Sequence, residues 1–301
     1  MLTAHALRGI FSVIPSPVDE NDCIDEQAAR QLIRYLLGQG VDGFLALGGT
    51  GEYGGLSQRE RVRMIETTAS EAAGRVPVIA GVLDPGYHDA IESGKELAAA
   101  GADALLVLTP YYTNPTQAGI RDYFLRYAEA SPLPIMIYEI PYRTRVAIDP
   151  AVLHELSKHE NIIGMKACNT DMWHFLQTVA GVDAAFSVLS GEDSLFPMHV
   201  AAGARGGMLV TAAYLPTAWQ RIWRLADERK IDDALALHRT LIPLMQLMFA
   251  ECNPGPLKTV LDVLGIDSTR VLAPLVNSAP DLTARLREEL VRQLDIFETA
   301  R

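Results

Sequence analysis

The sequence predicts an α/β fold, a (β/α)8 TIM barrel with a C-terminal helical appendage, on three observations. Eight short apolar runs recur along the chain, segments with helical spacing separate them, and the pattern after about residue 215 is helical to the end. The runs are residues 11–15, 43–47, 76–81, 104–109, 134–140, 162–166, 186–190 and 206–211. Each is rich in Val, Ile, Leu or Phe and does not alternate with polar residues, which marks strands buried on both faces, as in a parallel sheet. Strand followed by helix, eight times over, closes a barrel. The competing arrangement is an open doubly wound sheet, which often carries a glycine-rich dinucleotide loop after its first strand; none follows residue 15.

The helices are justified one by one. Residues 27–40 place Ala28, Leu32, Tyr35 and Leu36 on one face, and Gly38 and Gly40 punctuate the end. Ser57, Gln58, Arg59 and Glu60 read as a capping box opening a helix towards Ala73. Gly101 closes the helix before the fourth strand, and Asp149 and Pro150 read as N-cap and first residue of a helix over 151–159. Further helices are expected at 219–227, 231–249, 256–264 and 282–299, with Trp173, Trp219 and Trp223 as packing residues. No flexible linker precedes the last of these, so residues 1–229 read as the barrel and 230–301 as a helical extension of it.

Composition narrows the function. The net charge is −11, from 26 basic and 37 acidic residues, which argues against non-specific nucleic-acid binding. Cys23, Cys168 and Cys252 form no close pair, and an odd count argues against a disulfide framework. The first residues lack the apolar region of a signal peptide, and no apolar run is long enough for a membrane span. A soluble cytoplasmic protein is expected.

In such a barrel the active site lies at the C-terminal ends of the strands. Lys166 sits there, driven to the end of a buried run by Ile162, Ile163, Gly164 and Met165. A low-dielectric site disfavours the ammonium, and a neutral amine attacks a ketone to form an imine, an electron sink. A lysine in that place serves equally well as an ion-pairing group at the barrel rim. Tyr138, one strand earlier, is a proton shuttle or a core tyrosine. Gly48, Gly49, Thr50 and Gly51 make a backbone nest for a carboxylate or a tight turn, and Arg143 is a carboxylate clamp or a surface arginine. The seven histidines fall on expected helices or loops without HxH or HExxH spacing, so a metal-dependent hydrolase is disfavoured, and no metal or cofactor is expected. Cys168 lacks an assignable histidine partner and reads as structural.

With these residues placed, the chain resembles the dihydrodipicolinate synthase / N-acetylneuraminate lyase family over essentially its whole length. Gly48 to Glu52 is similar to that family's G-(S/T)-T-G-E loop, and Pro110, Tyr111, Tyr112, Pro115 and Gln117 to its P-Y-Y-x-x-P-x-Q segment. Residues 138–144 resemble Y-N-(I/V)-P-x-R-T, and Gly164, Met165 and Lys166 resemble G-(I/V)-K. Residues 251–258 resemble E-x-N-P-x-P-x-K. The resemblance implies a class I lyase whose Lys166 forms a Schiff base with pyruvate or another 2-oxo acid, without a cofactor. Tyr138 would relay protons and Tyr112 would reach into a neighbouring subunit's site. Gly49, Thr50, Gly51, Arg143, Gly191 and Met208 would bind substrate, and the assembly would be a homotetramer built as a dimer of dimers.

Four departures bear on the reaction. Gly49 replaces a Ser or Thr whose hydroxyl links two tyrosines in the synthases, Glu139 replaces Asn, Arg145 replaces Gly, and Ala167, Cys168 and Asn169 replace an acidic-then-small sequence. Gly49 is expected to leave room for a water, and Glu139 and Arg145 to add charge at the mouth, suiting a polar, hydroxylated partner. The expected activity is that of a 2-oxo-acid aldolase or dehydratase with weak dihydrodipicolinate synthase activity. The alternatives are the synthase proper, condensing pyruvate with aspartate semialdehyde, and a non-catalytic 2-oxo-acid-binding paralogue.

Overall fold

The structure is a computed structural model and describes residues 2–298. Eight parallel strands close a barrel in chain order: β1 (Gly9–Val13), β2 (Gly43–Ala46), β3 (Val78–Val82), β4 (Ala104–Leu108), β5 (Ile135–Glu139), β6 (Ile162–Ala167), β7 (Ser187–Ser190) and β8 (Gly206–Leu209). β8 returns to β1 through the register pairs Gly9 with Gly206 and Phe11 with Met208. Nearly every strand residue is buried, since one face fills the barrel and the other packs under helices; this is why the runs do not alternate. β1 begins two residues earlier than its apolar run. The Gly9 N–H donates to the Arg205 carbonyl and the Ile10 N–H to the Asp42 carboxylate at 2.7 Å, so pairing starts before the hydrophobic signal does.

The helices are α1 (Glu26–Gly38), α2 (Gln58–Ala72), α3 (Tyr87–Ala99), α4 (Gln117–Ala130), α5 (Pro141–Thr144), α6 (Pro150–Leu156), α7 (Met172–Gly181), α8 (Phe196–Ala202), α9 (Pro216–Asp227), α10 (Ile231–Met248), α11 (Gly255–Thr259) and α12 (Pro280–Phe297). α1 buries Ala28, Ala29, Leu32, Ile33 and Leu36. Tyr35, expected on that face, lies at its edge and donates its hydroxyl to the Tyr214 carbonyl at 2.6 Å. The capping box is half formed. Ser57 accepts from the Glu60 N–H, but the Glu60 carboxylate turns to the Ile24 N–H at 2.7 Å, tying α2 to the loop before α1. Asp149 holds the N-cap place of α6 without a side-chain capping bond. The helix expected over 256–264 divides into α11 and a 3-10 turn at Leu261–Leu264. The expected end of the last helix at Thr299 lies outside the described residues. Trp219 is buried and donates to the Thr211 hydroxyl at 2.9 Å, whereas Trp173 is 66 % exposed on α7 and packs nothing of its own chain's core. Among the described residues no helix is long and apolar enough to cross a membrane.

Two features fix the loops that carry the site. The first joins the C-terminal helices to the barrel mouth. Lys258 on α11 is fully buried; its Nζ lies 2.6 Å from Glu52 Oε2 and donates to the Ser16 carbonyl at 2.8 Å. Glu52 Oε1 accepts from the Leu272 N–H at 2.6 Å. One ion pair therefore gathers the β1 loop, the β2 loop, α11 and the segment before α12. The second feature lies behind β5. Glu139 is fully buried but faces away from the barrel mouth, contrary to the expectation that it adds charge there; Arg145 is exposed at the end of α5. Glu139 Oε1 accepts from the Ile148 N–H at 3.2 Å and lies 3.5 Å from both Asn169 Nδ2 and His174 Nε2, while Oε2 has no partner. Burial raises the Glu139 pKa above the usual carboxylate value, and His174 offsets it only in part.

Both features are testable. Removing one partner of a buried pair strands the other charge, so Lys258→Met is expected to lower unfolding stability by about 3–5 kcal/mol, and adding Glu52→Leu to recover a large part of it. Denaturant midpoints check this, and a single variant as stable as the parent refutes the role. For Glu139 the folded state holds its proton more tightly than the unfolded chain. Its contribution is therefore present below about pH 4.5, the ordinary glutamate value, and is lost as pH rises through the elevated folded value. Glu139→Gln is expected to match the parent near pH 4 and to exceed its stability at pH 8. Parallel stability–pH curves would show that the carboxylate ionises in place at no cost.

Candidate active site

β5 and β6 set Tyr138 and Lys166 side by side as register partners, both pointing into the barrel mouth. The Lys166 Nζ lies 4.9 Å from the centre of the Tyr138 ring, and both residues are almost fully buried. Beyond Glu139 the chain turns at Ile140, and Pro141 opens α5, whose four residues deliver Tyr142 and Arg143. One Arg143 nitrogen donates to the Asn253 carbonyl at 3.3 Å. Asn253 in turn donates its side-chain N–H to the Thr50 hydroxyl at 2.8 Å, and its Oδ1 is buried without a partner.

These groups open onto one cavity of about 810 Å³. Of the residues singled out in the sequence, Lys166, Tyr138, Gly49, Thr50, Arg143 and Gly191 line it. Gly191 is needed for close approach: a Cβ there would stand 2.1 Å from Cys168 Sγ and 2.9 Å from the Lys166 Cε, closing the lysine's space. Three others fall elsewhere. Gly51 supports the loop by accepting from the Ser16 hydroxyl at 2.8 Å, and Met208 is fully buried opposite Phe11, outside the cavity lining. Tyr112 is 89 % exposed at φ 72° and stands outside its own chain's cavity. At Gly49 the nearest side chain is the Arg143 guanidinium. A Cβ at 49 would lie 3.3 Å from an Arg143 guanidinium nitrogen, so the arginine covers the glycine.

Several lining residues escaped the sequence reading. Cys168 borders the lysine, and α10 closes the far wall with His238, Ile242, Met245 and Gln246. Glu192 and Tyr142 complete the inner rim. The Gly191–Glu192–Asp193 stretch at the end of strand seven carried a signal, two acids at a catalytic strand end. Helical spacing in α10 carried none, because it does not say which end of the barrel the helix covers.

The electrostatics correct one expectation. Burial is the largest influence on Lys166 and does disfavour the ammonium, but Tyr138, Cys168, Glu192 and Asp193 together outweigh it and hold the pKa above the ordinary lysine value. Tyr138 and Cys168 exert that pull only when ionised, so near neutrality the groups that oppose burial are Glu192 and Asp193. Burial also pushes up the Tyr138 phenol and the Cys168 thiol, so both stay protonated near neutrality. Burial and the neighbouring Asp193 push Glu192 up to about 7, against the pull of Lys166 and a hydrogen bond from Tyr142. The histidines that seemed unattached have separate partners. His174 lies against Glu139, His199 Nδ1 is 2.8 Å from the Ser190 hydroxyl, and His238 Nε2 is 2.9 Å from the Asp193 carbonyl. Among the described residues no group of three His, Cys, Asp or Glu is placed to hold a metal ion.

The same chain can be set beside known proteins. The pattern of the "Dihydrodipicolinate synthetase family" matches residues 6–293. A 4-hydroxy-tetrahydrodipicolinate synthase of Acidiphilium cryptum (strain JF-5) is 36 % identical over 283 residues, 93 % of this chain and 96 % of that one. Another from Methanothrix thermoacetophila is 34 % identical over 292 residues, covering 96 % and 98 %. The crystal structure of dihydrodipicolinate synthase from Aquifex aeolicus superposes with a TM-score of 0.90 at 34 % identity, covering 95 % of this chain and 97 % of that one. A likeness that runs through all eight strands and on into the C-terminal helices admits one conclusion: the chain belongs to the dihydrodipicolinate synthetase family and is a Schiff-base lyase of that family.

Proposed function

We propose that the protein holds pyruvate, or a close 2-oxo acid, as an imine on Lys166 and joins it to, or releases it from, an aldehyde acceptor. The observation that carries this reading is the buried Lys166–Tyr138 pair at the mouth of a cavity far larger than pyruvate needs. The amine adds to the ketone, water leaves, and the imine draws electrons from the methyl carbon so that it loses a proton and becomes an enamine. That carbon then attacks the acceptor's carbonyl, and hydrolysis of the imine frees the lysine. Tyr138, kept protonated by burial, serves first as proton donor to the departing water. Thr50 and the amides beside it face the 2-oxo acid's carboxylate, and Arg143, anchored by Asn253 at one nitrogen, keeps its remaining donors for a second carboxylate. The imine is itself the electron sink, so the reading needs no metal or organic cofactor.

The names of the relatives favour aspartate semialdehyde as the acceptor, which would make the protein a 4-hydroxy-tetrahydrodipicolinate synthase. Gly49, covered by Arg143 and without a hydroxyl, favours a sister aldolase or dehydratase with weak synthase activity. We further place residues 1–229 as the barrel and 230–301 as its extension. A cytoplasmic location is supported by three free cysteines. A homotetramer is supported by two exposed features: Tyr112 on one loop, and Trp173, Leu176 and Met198 on the adjoining helices α7 and α8.

Borohydride added with pyruvate is expected to leave a stable adduct on Lys166, found by peptide mass, and none in Lys166→Ala. An adduct that persists in the variant refutes the assignment. Tyr112 is expected to serve a neighbouring subunit, so mixed oligomers of inactive Tyr112→Ala and inactive Lys166→Ala chains should regain about a quarter to a half of the parent activity, in line with additive shared-site statistics. Re-formed mixtures that stay inactive exclude the loan.

A further inference from the structure

Strand β7 ends in two adjacent acids, and the structure uses them differently. The Asp193 carboxylate is saturated: it accepts from the Val210 N–H at 3.0 Å, the Thr211 N–H at 2.8 Å and the Thr211 hydroxyl at 2.6 Å, fastening β7 to β8. Glu192 lines the cavity with Lys166, Tyr138 and Tyr142, and its Oε1 is buried with no hydrogen-bond partner. Its backbone is held in place, since the Ser190 hydroxyl exchanges bonds of 3.3 Å with both the Glu192 N–H and carbonyl and is itself braced by His199. A buried carboxyl oxygen left without a partner is costly unless something else satisfies it. Glu192 is among the residues that line the cavity.

We infer that Glu192 is a catalytic acid–base of the second half-reaction, the carboxyl group that protonates the acceptor's carbonyl oxygen as the new carbon–carbon bond forms. The inference rests on the imine reading above. The enamine electron pair makes the bond to the aldehyde carbon, the carbonyl π pair moves to oxygen, and that oxygen takes the Glu192 proton to become a hydroxyl. The methyl proton released when the enamine formed equals the proton delivered, so the cycle is balanced once Glu192 is reloaded from the site or through the open mouth. In cleavage the same carboxylate removes the hydroxyl proton.

The other groups facing Glu192 do not fit this role. Tyr138 is already assigned to the imine beside it, the Tyr142 hydroxyl donates to Glu192 itself, the Cys168 thiol is held protonated and leans on Gly191, Asp193 is spent on the β8 turn, Lys166 is the imine, and His238, lowered by burial, binds the Asp193 carbonyl. Glu192, pushed up to about 7, exchanges a proton where the enzyme works, which is the condition for efficient acid–base catalysis. Because the acid form is the one required, condensation should slow as pH rises through about 7.

The test compares the parent with E192Q and E192D. Pyruvate alone with borohydride reports the imine, and turnover with the fastest of a panel of short aldehydes, aspartate semialdehyde included, reports the second half. In E192Q the adduct on Lys166 should still form, turnover should fall about 10²-fold, and the pH limb near 7 should vanish. E192D should keep the limb at a reduced rate. Turnover within a few-fold of the parent, a limb that survives in E192Q, or an adduct lost in step with turnover overturns the assignment of Glu192 while leaving the imine intact in the parent. A parent protein that forms no adduct, or turns over no aldehyde, overturns the imine reading first and this inference with it.

Discussion

The buried Lys258–Glu52 pair is the constraint on which the rest of the site depends. An ammonium and a carboxylate out of water are expensive, and their attraction repays the cost only when further hydrogen bonds complete them. Here they are completed, by the Ser16 carbonyl on one side and the Leu272 N–H on the other. The arrangement gives more than stability. Glu52 ends the loop that begins at Gly48, and Lys258 lies on the short helix that follows Asn253. Fixing 52 to 258 therefore fixes Thr50 to Asn253, and Asn253 fixes Arg143. The side of the cavity that carries Thr50 and Arg143 is held by the C-terminal helices, not by the barrel alone.

The opposite side of the cavity is governed by a proton balance. A buried lysine is usually described as a free amine in waiting, yet the acids around Lys166 favour its ammonium. Two of them, Tyr138 and Cys168, exert their pull only when ionised, and burial keeps both protonated near neutrality. That leaves Glu192 and Asp193 as the charges that matter there. Since Glu192 itself gains a proton around neutrality, the lysine's hold on its own proton weakens in the same pH range. Each group bears on the other's proton: Glu192 favours the Lys166 ammonium, and Lys166 favours the Glu192 carboxylate.

Much of this was legible in the residues. The eight runs gave eight strands because a strand buried on both faces has no choice but an unbroken apolar run, and Lys166 and Tyr138 stood out as polar groups at the ends of such runs. What stayed hidden depended on distance in the chain. Nothing local tells that Glu60 serves Ile24, that Glu139 turns outward to Ile148, or that α10 walls the cavity. Asp149 has the composition of a helix cap without its bond; its N–H donates to the Gln117 side-chain oxygen, and its carboxylate makes no capping bond. Side-chain direction at a strand end follows from a parity of two. A shift of one residue therefore reverses the reading, and this is what misplaced Glu139.

Gly49 shows how one absent side chain redistributes a site. Without a Cβ the loop admits the Arg143 guanidinium to within 3.3 Å of where that atom would stand. The arginine thus lies beside the loop that carries Thr50, tethered to Asn253, which also binds Thr50. A hydroxyl-bearing residue at 49 would have to move it, and with it the tether. The Arg143 guanidinium thus stands next to a position that has no hydroxyl to carry a proton. In the proposed reaction a proton still has to reach the acceptor, and the acid assigned to it is at the end of β7, where Glu192 leaves one oxygen unpaired. In the proposed reaction Arg143 supplies charge for binding and Glu192 the proton, and both line the cavity that holds Lys166.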